Sequence, residues 1–472
     1  VSTEREVDVV VIGAGAVGEN VADRAGRTGL DVVVVEKELV GGECSYWACM
    51  PSKALLRSGQ ALAAAQRLGG AAQAVTGRLD AAKVLERRDS FTSGWDDSSQ
   101  AQWLDSAGLA LVRGTARLTG PRQVSVDTAD GTVTLTARQA VVLATGSVPV
   151  LPDVPGLADS RVWTSREATS AKSVPARLAV IGGGVVGCEL AQAWARLGSQ
   201  VTLLVRSELL AGQEEFAGEM VAEALRADGV DVRTGAELAA VSRDEAGVHV
   251  TLGDGSTVDA DEFLVATGRR PVTSGIGLET VGLQDGGPLE VDDTGLVTGV
   301  EGSWLYATGD VAGRVKLTHQ GKYDARTTGD AIAARAAGPI ETPPWSRYTA
   351  TADHAAVPQV VFTDPEVAQV GLTAAQARDR GLDVKVVDYD LGNVAGASLV
   401  ADGYTGKARM VVDEQRKVVV GVTFVGQDVA ELLHAATIAI VGEVPLDRLW
   451  HAVPSYPTVS EVWLRLLETY GL

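Results

Sequence analysis

Cys44 and Cys49 are the side chains of this chain best suited to covalent redox chemistry. They stand in Gly41-Gly42-Glu43-Cys44-Ser45-Tyr46-Trp47-Ala48-Cys49-Met50-Pro51-Ser52-Lys53. A thiol pair can cycle between dithiol and disulfide, passing two electrons each way. Residues five apart in a regular helix lie roughly 8–9 Å apart at Cα, beyond disulfide reach. A bond between these two therefore requires Cys44 to sit in an irregular turn ahead of the helix, which Gly41-Gly42 permits. Zinc binding has little support, because the chain has five histidines and the first of them is His249. Spacing alone leaves two readings open, a redox pair or two buried structural thiols.

A second chemistry is the cradling of phosphates. Gly13-Ala14-Gly15-Ala16-Val17-Gly18 and Gly182-Gly183-Gly184-Val185-Val186-Gly187 each follow an apolar run and open a helical stretch. Glycines there let the backbone approach a pyrophosphate, which then rests on free N–H groups at the positive end of the helix. Each unit closes on an apolar strand ending in a charged residue, Glu36 or Arg206, 23 and 24 residues after the first glycine. Glu36 accepts hydrogen bonds from ribose hydroxyls and repels a 2′-phosphate, so the first unit suits an unphosphorylated adenosine. Arg206 pairs with a 2′-phosphate, which favours NADPH in the second unit, with NADH possible. Tight helix–strand packing without a ligand is the bland alternative for either motif. Each copy is followed by an Ala-Thr-Gly segment, ending at Gly146 and Gly268.

These sites need elements to carry them. The two glycine units read as strand, turn, helix, strand, and so as an α/β fold with two Rossmann-like domains. A polar helical stretch spans 81–106, and Asp130-Gly131 marks a hairpin. Beyond about residue 344 the β-branched runs Val357–Phe362, Val384–Tyr389, Ala408–Val412 and Val418–Phe424 predict an antiparallel sheet. Helices are expected over Val429–Val441 and Glu461–Tyr470. The expected domains are 1–150 with 276–345, 151–275, and 346–472.

With 472 residues, 46% of them apolar and 22% charged, the chain exceeds one hydrophobic core and reads as soluble and globular. A formal charge of −20 without a basic block argues against nucleic acid as partner. No stretch predicts a membrane span, and the first residues show no signal-peptide pattern. Three cysteines are too few for a stapled secreted scaffold. The expectation is a cytoplasmic protein.

Gly-Gly-x-Cys-x4-Cys-x-Pro-Ser-Lys after a G-x-G-x-x-G unit resembles the pyridine nucleotide–disulfide oxidoreductases, which include dihydrolipoamide dehydrogenase, glutathione reductase and mercuric reductase. The resemblance runs through Leu305-Tyr306-Ala307-Thr308-Gly309-Asp310 to Ser455-Tyr456-Pro457-Thr458-Val459-Ser460-Glu461. It implies a C-terminal α+β dimerisation domain and a homodimer. It implies FAD held by Gly13, Gly15, Gly18 and Glu36, with Asp310 on the ribityl chain. Thr318 and His319 would open a helix near the flavin pyrimidine. Cys49 would be the sulfur beside the flavin and Cys44 the outer, exchanging sulfur. Lys53 and Glu189 would pair at the flavin's reactive nitrogen, and Gly182, Gly184, Gly187 and Arg206 would hold NADPH. Electrons would pass from NADPH through FAD to the Cys44–Cys49 disulfide and then to a small-molecule disulfide. Cys188 would be an inert core residue.

Two features depart from the family pattern. Its disulfide-reducing members carry His-Pro-Thr where this chain has Tyr456-Pro457-Thr458. Tyrosine, with a reference pKa near 10, is a poor base at neutral pH. Glu461 is present without the histidine it would orient, and His451 is a substitute of low standing. Tyr46 and Trp47 also stand where the family has small residues, so they either narrow access to the outer sulfur or face inward. Tyr456 resembles mercuric reductases, yet the chain ends Leu467-Glu468-Thr469-Tyr470-Gly471-Leu472, without their terminal cysteine pair. A quinone or metal-ion reductase is therefore the alternative function, dihydrolipoamide dehydrogenase proper is weaker, and a flavin-bearing subunit without turnover is weakest. No resident metal is expected.

Overall fold

Runs of valine buried on both faces form the centre of a parallel sheet, covered by helices on one face and by antiparallel strands and loops on the other. The computed structural model describes residues 3–472, and these fall into two compact units. The first takes residues up to Pro51, then Asp89–Val150 and Arg269–Asp353. Its sheet has parallel strands in the order Ala110–Arg113, Val32–Glu36, Thr3–Ile12, Gly131–Leu143, with Leu305–Ala307 beside the last. Gln123–Thr128 and Thr115–Gly120 extend it antiparallel, joined to Gly131–Leu143 by the hairpin at Asp130-Gly131.

The helix Ala16–Gly26 leaves the first strand through the glycine turn. Gly13 there has φ +103°, and a Cβ on it would overlap the carbonyl oxygen of Ala144; one on Gly18 would overlap the carbonyl oxygen of Gly13. The long helix Thr318–Ala337 packs on the same layer, tied to the first helix by an Arg24–Asp330 ion pair at 2.5 Å.

The second unit takes Ser52–Arg88, Leu151–Gly268 and His354–Leu472. It repeats the arrangement with the parallel strands Asp231–Thr234, Gln200–Val205, Arg177–Ile181 and Glu262–Val265. Gly182 has φ +121° and lies against Ala266 as Gly13 lies against Ala144, and Gly187 against Gly182 as Gly18 against Gly13. The internal duplication is thus reproduced down to the contact that excludes a side chain. A meander of Leu238–Asp244, Gly247–Leu252 and Thr257–Ala260 sits in the same unit. The C-terminal sheet runs Gln359–Val361, Glu366–Gly371, Val418–Gly426, Lys407–Asp413, Val384–Asp390, all antiparallel.

Two local expectations need correction. The strand Glu366–Gly371 has no β-branched run to betray it, yet it lies inside the sheet, with Gln369 buried. The helical stretch 81–106 is two helices, Ala81–Phe91 and Ser98–Ser106. Between them Ser93, Gly94 and Trp95 have φ of 50°, 60° and 63°, a left-handed turn that no right-handed helix continues through. No helix among the described residues is long and apolar enough to cross a membrane.

Candidate active site

Cys44 lies inside a short helix, Gly42–Tyr46, and not in an irregular turn before one. The irregularity falls after it instead. Trp47 has φ −137° and ψ 0°, Ala48 is a bend, and a new helix, Cys49–Gln66, starts at the second cysteine. Breaking the helix between the two cysteines, and not ahead of them, brings the sulfurs together. Both are thiols here, hydrogen-bonded to each other, and the Cys49 Sγ lies 3.2 Å from Thr318 Oγ1.

Sharing that hydrogen bond with Cys49 raises the pKa of Cys44, and burial raises it further. The Thr318 hydroxyl and the Lys322 ammonium act the other way. Thr318 is the first residue of the helix Thr318–Ala337, so the positive end of that helix also favours a thiolate at the pair. His319 is exposed in the same first turn.

The groups expected to hold FAD lie in the same unit. Gly15 caps the helix Ala16–Gly26 without a side chain of its own, leaving the N–H groups of the turn open to a ligand. Glu36 is buried at the strand end, where its carboxylate accepts from the amides of Ala14 and Glu38, both at 2.7 Å. Each oxygen keeps a lone pair for a ribose hydroxyl. Gly146 and Gly309 have φ of +72° and +77°. Asp310 accepts from Ser147 Oγ, which in turn accepts from Arg269 Nε at 2.8 Å. Among the described residues the buried hydroxyl of Thr308 has no hydrogen-bond partner, a group that a bound molecule can satisfy. The glycine cradle, the acid at the strand end and the orphan hydroxyl together fit an FAD.

In the second unit Lys53 Nζ donates to Glu189 Oε2 at 2.7 Å, and Glu189 is almost fully buried. The other carboxylate oxygen accepts from the Phe362 N–H at 2.9 Å, and the Phe362 ring lies 4.9 Å from the ammonium. Gly184 caps the helix Val185–Arg196, on which Cys188 is fully buried, its pKa pushed up to about 12 by that burial. Arg206 is exposed just beyond the strand Gln200–Val205, and Gly268 is exposed with φ +128°.

The C-terminal residues behave differently from one another. Tyr456 is 76% exposed and His451 is exposed. Glu461 is buried and pairs with Arg465 one helical turn on, while its Oε2 has no partner. Of the two intercysteine aromatics, Tyr46 is 2% exposed and so faces the interior, whereas Trp47 is partly exposed.

Sequence reasoning passed over Phe362, Ser147, Arg269 and Lys322. Lys322 alone had a signal, since it falls four residues after Thr318 and so on the same helix face. The others meet their partners only through the fold.

Two glycine-loop sheets and a thiol pair at a helix N-terminus have the make-up of a dinucleotide-dependent oxidoreductase. The family model described as pyridine nucleotide-disulphide oxidoreductase matches residues 7–325, and that for the family's dimerisation domain matches 357–466. The chain belongs to the pyridine nucleotide-disulphide oxidoreductase family, whose members are FAD-dependent and use a pyridine nucleotide. It is 32% identical to a mercuric reductase of Staphylococcus aureus over 97% of this chain and 81% of that one. It is also 32% identical to a dihydrolipoyl dehydrogenase of Geobacillus stearothermophilus, over 98% and 96%. Among solved structures, LpdA from Mycobacterium tuberculosis superposes with TM-score 0.84 at 25% identity, covering 99% of this chain and 100% of that one. The HOCl-induced flavoprotein disulfide reductase RclA from Escherichia coli, as its Cu(II) complex, shares the fold with TM-score 0.84 at 24% identity, over 98% and 99%.

Proposed function

We propose that the protein is an NADPH-dependent flavoprotein reductase that discharges its electrons through Cys44 and Cys49 to a small disulfide. The observation that carries this reading is the contact of the two thiols with each other and with Thr318 at the start of a helix. When bound, FAD supplies a two-electron relay between nicotinamide and the sulfur pair.

The chain's own groups do the rest. Cys44 attacks one sulfur of the substrate, forming a mixed disulfide, and the proton it loses ends on the first thiol released. Cys49 then attacks Cys44, expelling the second thiol and restoring the intramolecular disulfide. Thr318 and the helix start behind it hold Cys49 as a thiolate. Lys53, fixed by Glu189, is the residue that would by the family resemblance serve the flavin's reactive nitrogen. Arg206, exposed at its strand end, is placed to meet a 2′-phosphate. The matched dimerisation segment supports a homodimer, to which the exposed Ile438, Val441, Trp450, Val453 and Tyr456 would contribute apolar surface.

A second reading follows from one residue. Tyr456 stands where the family's histidine would protonate a leaving thiol, so an acceptor that releases no thiol, a quinone or a metal ion, is the alternative substrate. Anaerobic NADPH titration of the purified holoprotein should raise a long-wavelength thiolate-to-flavin band, and its absence would refute the thiol route. Assays with lipoamide, glutathione disulfide and a benzoquinone then rank the acceptors. Disulfide turnover that rises at least tenfold in Tyr456→His would show that the missing acid–base group limits the first reading. Quinone turnover kept in full by Cys44→Ser would assign that activity to the second.

A further inference from the structure

The break between the two cysteine helices has a local cause in Pro51, which has no N–H for the Trp47 carbonyl and would clash with it in a continuous helix, and a second cause outside them. In an uninterrupted helix the Tyr46 carbonyl would accept the N–H of Met50, and residues 42–66 would form one rod with the sulfurs out of reach. Here that carbonyl accepts the indole N–H of Trp95 at 3.1 Å. Gln100 grips the same segment twice. Its Oε1 accepts from the Tyr46 hydroxyl at 3.1 Å, and its Nε2 donates to Ser45 Oγ at 3.3 Å. A Cβ on Gly41 would overlap the Gln100 amide, so the glycine ahead of the cysteines makes room for this side chain. Asp97 completes the hold by accepting from the Val40 N–H at 2.6 Å.

Trp95 is presented by the left-handed turn Ser93-Gly94-Trp95. Positive φ is a costly conformation for serine and more so for tryptophan, and such conformations persist where the surroundings hold them in place. In this part of the fold the strain falls on the turn that delivers the indole.

We infer that Trp95 and Gln100 are positioning residues that hold the Cys44–Cys49 loop in its broken-helix form and thereby favour the disulfide over the dithiol. The clamp acts on one side of the equilibrium. A disulfide cannot lengthen its sulfur–sulfur distance, whereas in a dithiol released from the clamp the segment can relax and the two sulfurs move apart. The inference rests on the redox role proposed for the two cysteines.

Trp95→Phe, Gln100→Leu and Tyr46→Phe holoproteins test it. Each is equilibrated in buffers of reduced and oxidised dithiothreitol, where two protein thiols give two electrons and two protons to the reagent disulfide. Alkylation and mass spectrometry then count the free thiols at 44 and 49. In Trp95→Phe and Gln100→Leu the disulfide-to-dithiol ratio should fall at least tenfold, about 30 mV for a two-electron couple, with FAD content unchanged. Tyr46→Phe, which loses only a hydroxyl, should fall at least threefold and serves if the others do not fold. Lower melting temperatures with ratios within twofold of wild type would overturn the inference, because a merely structural role weakens both redox forms alike. A wild-type protein that never forms the bond would refute both the redox role and the clamp.

Discussion

At the scale of single residues, one charged side chain carries the choice of nicotinamide. Arg206 is exposed at the end of its strand and takes part in no ion pair among the described residues, so its guanidinium is available to a phosphate. A charge-assisted hydrogen-bonded pair contributes about 1.5–3 kcal/mol. Arg206→Ala should therefore lower kcat/KM for NADPH by about 10–100-fold and leave the NADH value nearly unchanged. Steady-state kinetics with both nicotinamides measure this, and an unaltered ratio would place the 2′-phosphate elsewhere. The type of residue at 206 and its distance from the glycines were readable in the chain. The partners of Glu189 were not, since Phe362 reaches it across 173 residues of sequence.

At the scale of elements, the two glycine turns are the same device used twice. Gly13 and Gly182 both have positive φ, and both sit where a Cβ would strike the alanine that opens an Ala-Thr-Gly segment. Adding a methyl group costs about 2–4 kcal/mol through strain and overlap. Gly13→Ala should give a protein that loses its yellow colour on purification. Gly182→Ala should retain FAD while KM for NADPH rises at least tenfold. Absorbance spectra and kinetics separate the two outcomes. Periodicity and glycine spacing revealed these units because a phosphate-binding turn imposes its composition locally. They did not reveal the strand Glu366–Gly371, which has no β-branched run and is fixed inside the sheet by the distant strand Val418–Gly426.

At the scale of the whole molecule, buried acids set a pH slope. Burial raises the Glu366 pKa to about 7, with the charges of Asp428 and Asp364 adding to the effect, against a bond from the Ala430 amide and the charge of Arg57. Between the unfolded value of 4.5 and about 7 the folded chain holds a proton that the unfolded chain has released. Stability from this group therefore falls as pH rises through that window, by about 3 kcal/mol in full. His249, its pKa raised by Asp259 and Asp244, adds a loss of the same sign as pH rises past its folded value. Glu366→Gln should flatten the melting-temperature profile between pH 5 and 8 and raise it most at pH 8. A second prediction concerns assembly. Val453 is 87% exposed within the matched dimerisation segment. Val453→Asp should shift sedimentation toward the monomer, and an unchanged profile would remove this residue from the interface.

The chain by itself determined its two nucleotide units, its acidic strand end in one and basic strand end in the other, and the thiol pair. Each of these is a local pattern, dictated by what a turn or a spacing allows. The tertiary structure alone decided what holds the break between the cysteines: the donor to the Tyr46 carbonyl is Trp95, 49 residues away. Pro51 makes a break near here legible in the chain, because a continuous helix would need its missing N–H, and a contact from elsewhere in the fold fixes the form the break takes.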